Sequence, residues 1–154
     1  MRAFLVSAFH DVFVVAHGER MDPSSMDGVV AIHDGRMVGH AAYRIAGDSC
    51  ELVAIAASPR STGIGSRLLD SVIQAAKASG AGEVWLTTTN DNLDALRFYQ
   101  RRGFRLRTIR PGAVDEARRE LKPSLPHVGS YGIPMRDELH LVRTLADESD
   151  QSSR

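Results

Sequence analysis

The stretch that most constrains this chain is 55–69, Ile-Ala-Ala-Ser-Pro-Arg-Ser-Thr-Gly-Ile-Gly-Ser-Arg-Leu-Leu, which reads as a strand, a glycine turn and the start of a helix. Apolar residues at Ile64, Leu68, Leu69, Val72, Ile73 and Ala76 recur at helical spacing, so 63–79 is predicted to be an amphipathic helix laid on a sheet. Gly80 is suited to end it as the first residue beyond the cap. The helix opens after Arg60 and between Gly63 and Gly65, which leaves several backbone N–H groups unobstructed where the helix dipole is positive. Such a place suits a phosphate.

Around this stretch the pattern is mainly strands. Val12 to Val15 is β-branched and aromatic, 18–28 is loop-like, and Asp34-Gly35 between 29–33 and 36–45 signals a tight hairpin. Gly47-Asp48 marks a second turn before a strand at 49–57, giving three antiparallel strands in succession. After the helix, 83–89 alternates as a strand and Asn90-Asp91-Asn92 offers capping side chains for a short helix at 93–102. Gly103 ends that helix, with Phe104 placed to pack back on Phe98 or Tyr99, and a strand follows at 104–109. A proline-punctuated excursion, 110–135, contains a helix-compatible run at 113–121 and precedes a closing strand at about 139–143.

At 154 residues the chain is expected to form one α/β domain over 1–145, with a frayed polar tail at 146–154. Nineteen basic and nineteen acidic residues cancel, so nothing global steers it to nucleic acid or an anionic membrane. Cys50 is the only cysteine, which excludes an internal disulfide and suits a reducing cytoplasm. The mildly apolar start is broken by Ser7 and His10-Asp11, too short for a secretion signal or a membrane span. Residues 1–11 read as a loose leader. Six histidines without close ligand spacing argue against a metal site.

Two motifs then make the reading specific. Arg60-Ser61-Thr62-Gly63-Ile64-Gly65 resembles the R-x-x-G-x-G signature of the GNAT superfamily of acetyl-CoA-dependent N-acetyltransferases, and Asn92-x-x-Ala95-x-x-Phe98-Tyr99-x-x-x-Gly103-Phe104 resembles its second cofactor motif. Together they cover 51–109, about two fifths of the chain. The resemblance implies a mixed, mostly antiparallel central sheet flanked by helices. It also implies acetyl-CoA as cosubstrate, with its pyrophosphate on the amides from Thr62 through Gly63, Ile64 and Gly65 to Ser66, assisted by Arg60. Its pantetheine arm would run along the strand backbone near Ile55 and Ala57. Asn92 would reach the same arm or cap its own helix.

An amine acceptor is mostly protonated at neutral pH, so transfer requires a base. Glu51, on the strand entering the glycine turn, is the candidate, expected to share a face with Val53 and Ile55; a solvated strand carboxylate is the competing reading. Tyr99 stands where family members place the acid that protonates the departing thiolate, against a simple packing role beside Phe98 and Phe104. Between the first strand and the hairpin, relatives place helices that wall the acceptor site, and here only about a dozen loop-like residues are available. The excursion could therefore lid the acceptor side, with Arg118, Arg119 or Asp115 recognising it; a plain surface loop or a homodimer contact fits equally. The arginines at 97, 101, 102, 105, 107 and 110 read as a solvated helix-and-strand face, against the alternatives of a nucleic-acid contact or a site for the cofactor's 3′-phosphate.

The expected activity is direct acetyl transfer in a ternary complex to an amine of a small molecule. A noncatalytic acyl-CoA-binding or regulatory module is the alternative. A dinucleotide-binding fold fits poorly, because the third glycine is missing and antiparallel strands precede the turn.

Overall fold

The computed structural model describes residues 1, 3, 4, 6, 13–59 and 62–145. The tail at 146–154, most of the expected leader, and Arg60 and Ser61 lie outside these residues. In chain order the elements are β1 (Val14–Ala16), β2 (Glu19–Met21), a 3-10 turn (Pro23–Ser25), β3 (Asp27–His33), β4 (Arg36–Ala46) and β5 (Ser49–Ala57). There follow α1 (Ile64–Ala78), β6 (Glu83–Thr89), α2 (Leu93–Arg101), β7 (Arg105–Arg110), α3 (Ala113–Glu120), a second 3-10 turn (Ser130–Gly132) and β8 (Glu138–Thr144).

Six strands form one sheet in the order β3-β4-β5-β6-β8-β7. All neighbours are antiparallel except β5 and β6, which are parallel because α1 carries the chain back across the sheet between them. The sheet is thus mixed and mostly antiparallel, in a single domain, as the sequence led one to expect. The Asp34-Gly35 hairpin closes with both φ angles positive, +48° and +74°, as a primed turn demands.

The N-terminal part departs from expectation. The segment read as one strand and a loop is a separate two-stranded hairpin, β1 with β2, turned at His17-Gly18. Its turn also has two positive φ angles, +40° and +79°. Strands of three residues each are too short to show an apolar period in sequence. Asp22 then caps the 3-10 turn by accepting from Ser24 N–H at 2.9 Å.

The core lies between α1 and one face of the sheet. Leu69, Val72 and Ala76 of α1 are fully enclosed against Cys50, Val84 and Leu141 of the strands. Each leucine and valine among them contributes about 1.5–3 kcal/mol by leaving water. Alternation along the strands turns the neighbouring side chains, Arg44, Glu51, Trp85 and His140, to the opposite face. Helix α2 is fastened to the core by Tyr99 and ends as anticipated: Gly103 takes φ +86°, its N–H donates to Gln100 O at 3.2 Å, and Phe104 N–H donates to Tyr99 O at 3.1 Å. Phe104 is buried and stacks edge-on to Tyr99 at 5.4 Å.

Candidate active site

Strands β5 and β6 pair only over Ser49–Glu83, Cys50–Val84 and Glu51–Trp85. Beyond Glu51 they separate, while β5 stays paired to β4 as far as Ala57. The cause is local. In the β4–β5 register Ala42 faces Ala54 and Tyr43 faces Leu52, so Val53 is an extra residue. A bulge bends its strand and increases its twist, and here it does so one step after the last β5–β6 pair. The backbone of 52–57 is thereby left without a partner strand on the β6 side.

The bulge also corrects an expectation. Glu51 and Ile55 do not share a face: the additional residue shifts the alternation, so Ile55 packs with Leu52 on the core side while Glu51 points the other way. No single-sequence signal announces a bulge at a Val between Leu and Ala.

From the open side of β5 the chain enters α1 through Gly63, whose φ of +81° is strained for any side-chain-bearing residue. Among the described residues no side chain caps this helix. Its first described backbone bond is Arg67 N–H to Gly63 O at 3.2 Å, which leaves the amides of Ile64, Gly65 and Ser66 without partners among the described residues. Gly65 has ordinary helical geometry, and a Cβ there would only touch the Phe98 ring at 3.6 Å. Conformational necessity therefore applies to Gly63 alone of the two glycines.

These parts line one groove of about 1200 Å³. Ile55, Ala57, Thr62, Gly63, Gly65 and Ser66 border it from β5 and the start of α1, and Asn92, Phe98, Tyr99 and Arg102 from α2. Ile64 turns its side chain inward over β4, against Gly39, and that side chain does not border the groove. Asn92 caps α2, accepting from Ala95 N–H at 3.4 Å while its amide donates to Thr88 Oγ1 at 3.2 Å, and it also borders the groove. Arg102 lies over the Phe98 ring at 3.7 Å and donates to Ser66 Oγ, which sets a guanidinium beside the open amides. Tyr99 is 7% exposed, and burial raises its phenol well above the usual range, so it carries its proton throughout neutral and mildly alkaline conditions.

The excursion before β8 folds back onto this groove. Buried Asp91 accepts from Thr89 Oγ1 at 2.5 Å and from Ser130 N–H at 2.9 Å. Asn90 Oδ1 accepts from the amides of Arg136 and Asp137, and Tyr131 donates to Asp94 Oδ1 at 2.5 Å. Ser130 and Met135 thereby form part of the groove wall. Arg118, considered above as an acceptor ligand, is 8% exposed and spent internally: it donates to the carbonyls of Leu125, Pro126 and Met135 and to Asp115. It and Asp115 hold the excursion together.

Glu51 is not on the groove. It is 4% exposed at the fork of β5 and β6, accepting from Arg44 Nε at 2.7 Å and bonded to His17 Nε2 at 2.6 Å. It is not a solvated strand carboxylate. His17 N–H donates to Glu138, 3% exposed, at 2.9 Å. The imidazole pKa of His17 is raised, first by the hydrogen bond to Glu51, against the cost of burial, and further by the fields of Glu51 and Glu19. Beside it is a second cavity of about 330 Å³ bordered by His17, Trp85, Arg107, His140 and Leu141. None of these polar partners was visible in sequence, since they come from segments far apart in the chain, the His17 turn and strands β4, β5, β6, β7 and β8, which only the tertiary structure brings together. Among the described residues no group of three or more His, Cys, Asp or Glu is arranged to hold a metal ion, and no helix is long and apolar enough to cross a membrane.

A strand laid open beside an uncapped helix start is how acetyl-CoA-dependent acyltransferases receive their thioester donor, and this chain is an enzyme of that class. The family model described as the acetyltransferase (GNAT) family matches residues 4–104, and the chain belongs to that family. It is 40% identical over 115 residues to the uncharacterized protein YdhI of Bacillus subtilis, covering 74% of this chain and 71% of that one. It is 31% identical over 119 residues to a streptothricin acetyltransferase of Streptomyces lavendulae, covering 72% and 62%. Among solved structures, a GNAT family acetyltransferase from Elizabethkingia anophelis with acetyl-CoA bound superposes with a TM-score of 0.67 at 25% identity, covering 79% of this chain and 78% of that one.

Proposed function

We propose that the protein transfers the acetyl group of acetyl-CoA to an amine of a small molecule, directly and within a ternary complex. The observation that carries the reading is the unpaired backbone of 52–57 ending at the open amides of α1. A peptide-like pantetheine arm fits the first as an added strand would, along Ile55 and Ala57. A pyrophosphate fits the second, on the N–H groups from Thr62 to Ser66, with Arg102 adjacent and Arg60 assigned on the motif alone. Bound there, acetyl-CoA supplies the thioester carbonyl. Asn92 both caps α2 and borders the arm. Tyr99, protonated and buried at the groove, donates to the departing thiolate. Glu51 supplies the carboxylate of the base. The small-molecule acceptor draws on the streptothricin acetyltransferase relative and on the modest size of the second cavity. We assign the activity to the cytoplasm, where buried Cys50 stays reduced.

The test is calorimetric binding of acetyl-CoA, CoA, ATP and NAD, followed by free-thiol release with a panel of primary amines. Micromolar binding of acetyl-CoA with amine-dependent thiol release is expected. Binding without turnover on any amine would favour the noncatalytic module.

A further inference from the structure

We propose that the atom which takes the acceptor's proton is Nδ1 of His17, with Glu51 as its orienting carboxylate, and that the cavity of His17, Trp85, Arg107 and His140 receives a small primary monoamine. The proposal rests on the acetyl-transfer reading and names its base and acceptor class.

Both oxygens of Glu51 are already engaged, Oε1 by His17 and Oε2 by Arg44. A carboxylate so occupied and 4% exposed cannot reach an amine without losing a bond. Its bond to Nε2 instead selects the tautomer that carries hydrogen there and leaves Nδ1 as the acceptor. The imidazole is held from a second side, because the His17 backbone N–H is fixed to Glu138. His17 makes that bond from φ +40°, the left-handed conformation that the first position of this two-residue hairpin turn demands, so turn and bond together fix the backbone that carries the imidazole.

The cavity's charge selects the acceptor. The groups facing His17 are Glu19 on β2, Arg44 on β4, Glu51 on β5, Arg107 on β7, and Glu138 and His140 on β8. Arg44 is tied to Glu19 and Glu51, Arg107 to Glu83, and Arg110 stands 3.7 Å from Glu138. Four carboxylates against three guanidiniums leave one negative charge when both imidazoles are neutral. His17 balances it by holding a proton, which agrees with its raised pKa. An entering ammonium balances it equally, with the Trp85 ring as a cation-binding wall, and so releases His17 to act as base. His140 lies 6.0 Å from Trp85, stacked on it; its Nε2 makes no hydrogen bond and stands 4.0 Å from Glu138 Oε2, and burial lowers its pKa against the field of Glu138, so it stays neutral and uncompeting. A second positive charge on the acceptor would meet Arg44, Arg107 and Arg110.

The step balances. The ammonium gives one proton to His17 Nδ1, the N–C bond to the acetyl carbon forms, and the C–S bond breaks. Tyr99 gives its proton to the sulfur and recovers one from the acetylated nitrogen. His17 then loses its proton to water.

Two measurements test this with phenethylamine as the monoamine and spermidine as the polycation. First, the imidazole pKa of His17 is followed by ¹⁵N NMR in wild type and Glu51→Gln. The wild-type value should lie above 6.5, fall by about 1 unit in Glu51→Gln, and fall on saturation with phenethylamine but not with spermidine. A His17 signal indifferent to phenethylamine overturns the acceptor pocket, whether or not the enzyme turns over. Second, thiol release is measured against pH. His17→Gln should lower kcat about 10²-fold or more, abolish the limb that follows the NMR-measured pKa, and leave the calorimetric affinity for acetyl-CoA unchanged. His17→Gln with wild-type kcat and profile overturns His17 as base. Wild-type failure to release thiol with either amine, alongside a His17 shift on phenethylamine, counts against acetyl transfer and leaves the cation pocket standing.

Discussion

Gly129→Ala tests whether the excursion is a built part of the groove. Its φ is negative, −103°, so the left-handed strain of a positive φ does not arise and the dominant effect is steric. A Cβ there would stand 2.0 Å from Asp91 Oδ2, 2.5 Å from its Cγ and 2.6 Å from Met135 Cγ. Reaching ordinary contact at ~3.5 Å requires a displacement of about 1.5 Å, which the 2.9 Å bond from Ser130 N–H to Asp91 cannot survive. A hydrogen bond to a buried carboxylate is worth about 1.5–3 kcal/mol, and Asp91 is 5% exposed, so water replaces it poorly. Hydrogen exchange at the Ser130 amide should therefore quicken by about 30- to 150-fold, the equivalent of ~2–3 kcal/mol. Gly132→Ala is the control: it meets nothing within 4 Å but sits at φ +70°, so it should cost about 1 kcal/mol of backbone strain while preserving the Asp91 bond. Ser130 protection within threefold of wild type in Gly129→Ala would refute the reasoning.

Three further outcomes follow from the same geometry. Tyr99→Phe should lower kcat for thiol release by about 10²-fold with unchanged acetyl-CoA affinity, because the phenol is the group held protonated at the groove; equal turnover across pH would leave Tyr99 a packing residue. Arg118→Lys removes a fork that serves three carbonyls and Asp115, and should cost about 2–4 kcal/mol, read as a fall in Tm and faster exchange at Leu121 and Met135. Cys50 is pushed up to about 11, first by burial and then by the field of Glu51. The unfolded thiol ionises near 8.5 and the folded one resists, so stability is whole below that pH and falls by about 1–2 kcal/mol by pH 10. Urea unfolding of wild type against Cys50→Ala at both pH values should show a loss greater by that amount in the former.

Local periodicity and turn chemistry were legible in the chain because they depend on neighbours in sequence. The apolar spacing of 64–76 made α1, Asp34-Gly35 made the hairpin, and Gly103 with Phe104 made the end of α2, each through interactions spanning at most five residues. The glycine turn and the Asn92-to-Phe104 motif were enough to indicate the family, since an amide row at a helix start needs only the right backbone. What the tertiary structure alone decided is the parity and pairing of strands. The bulge at Val53 turned Ile55 away from Glu51 and opened the fork. The sheet order then gathered His17, Arg44, Glu51, Trp85 and Glu138 from five separate segments. Burial of two carboxylates within one network is settled by charge compensation across the sheet, and no window of sequence contains the partners that make it affordable. The donor side was thus written in contiguous residues, and the acceptor side exists only once the strands have paired.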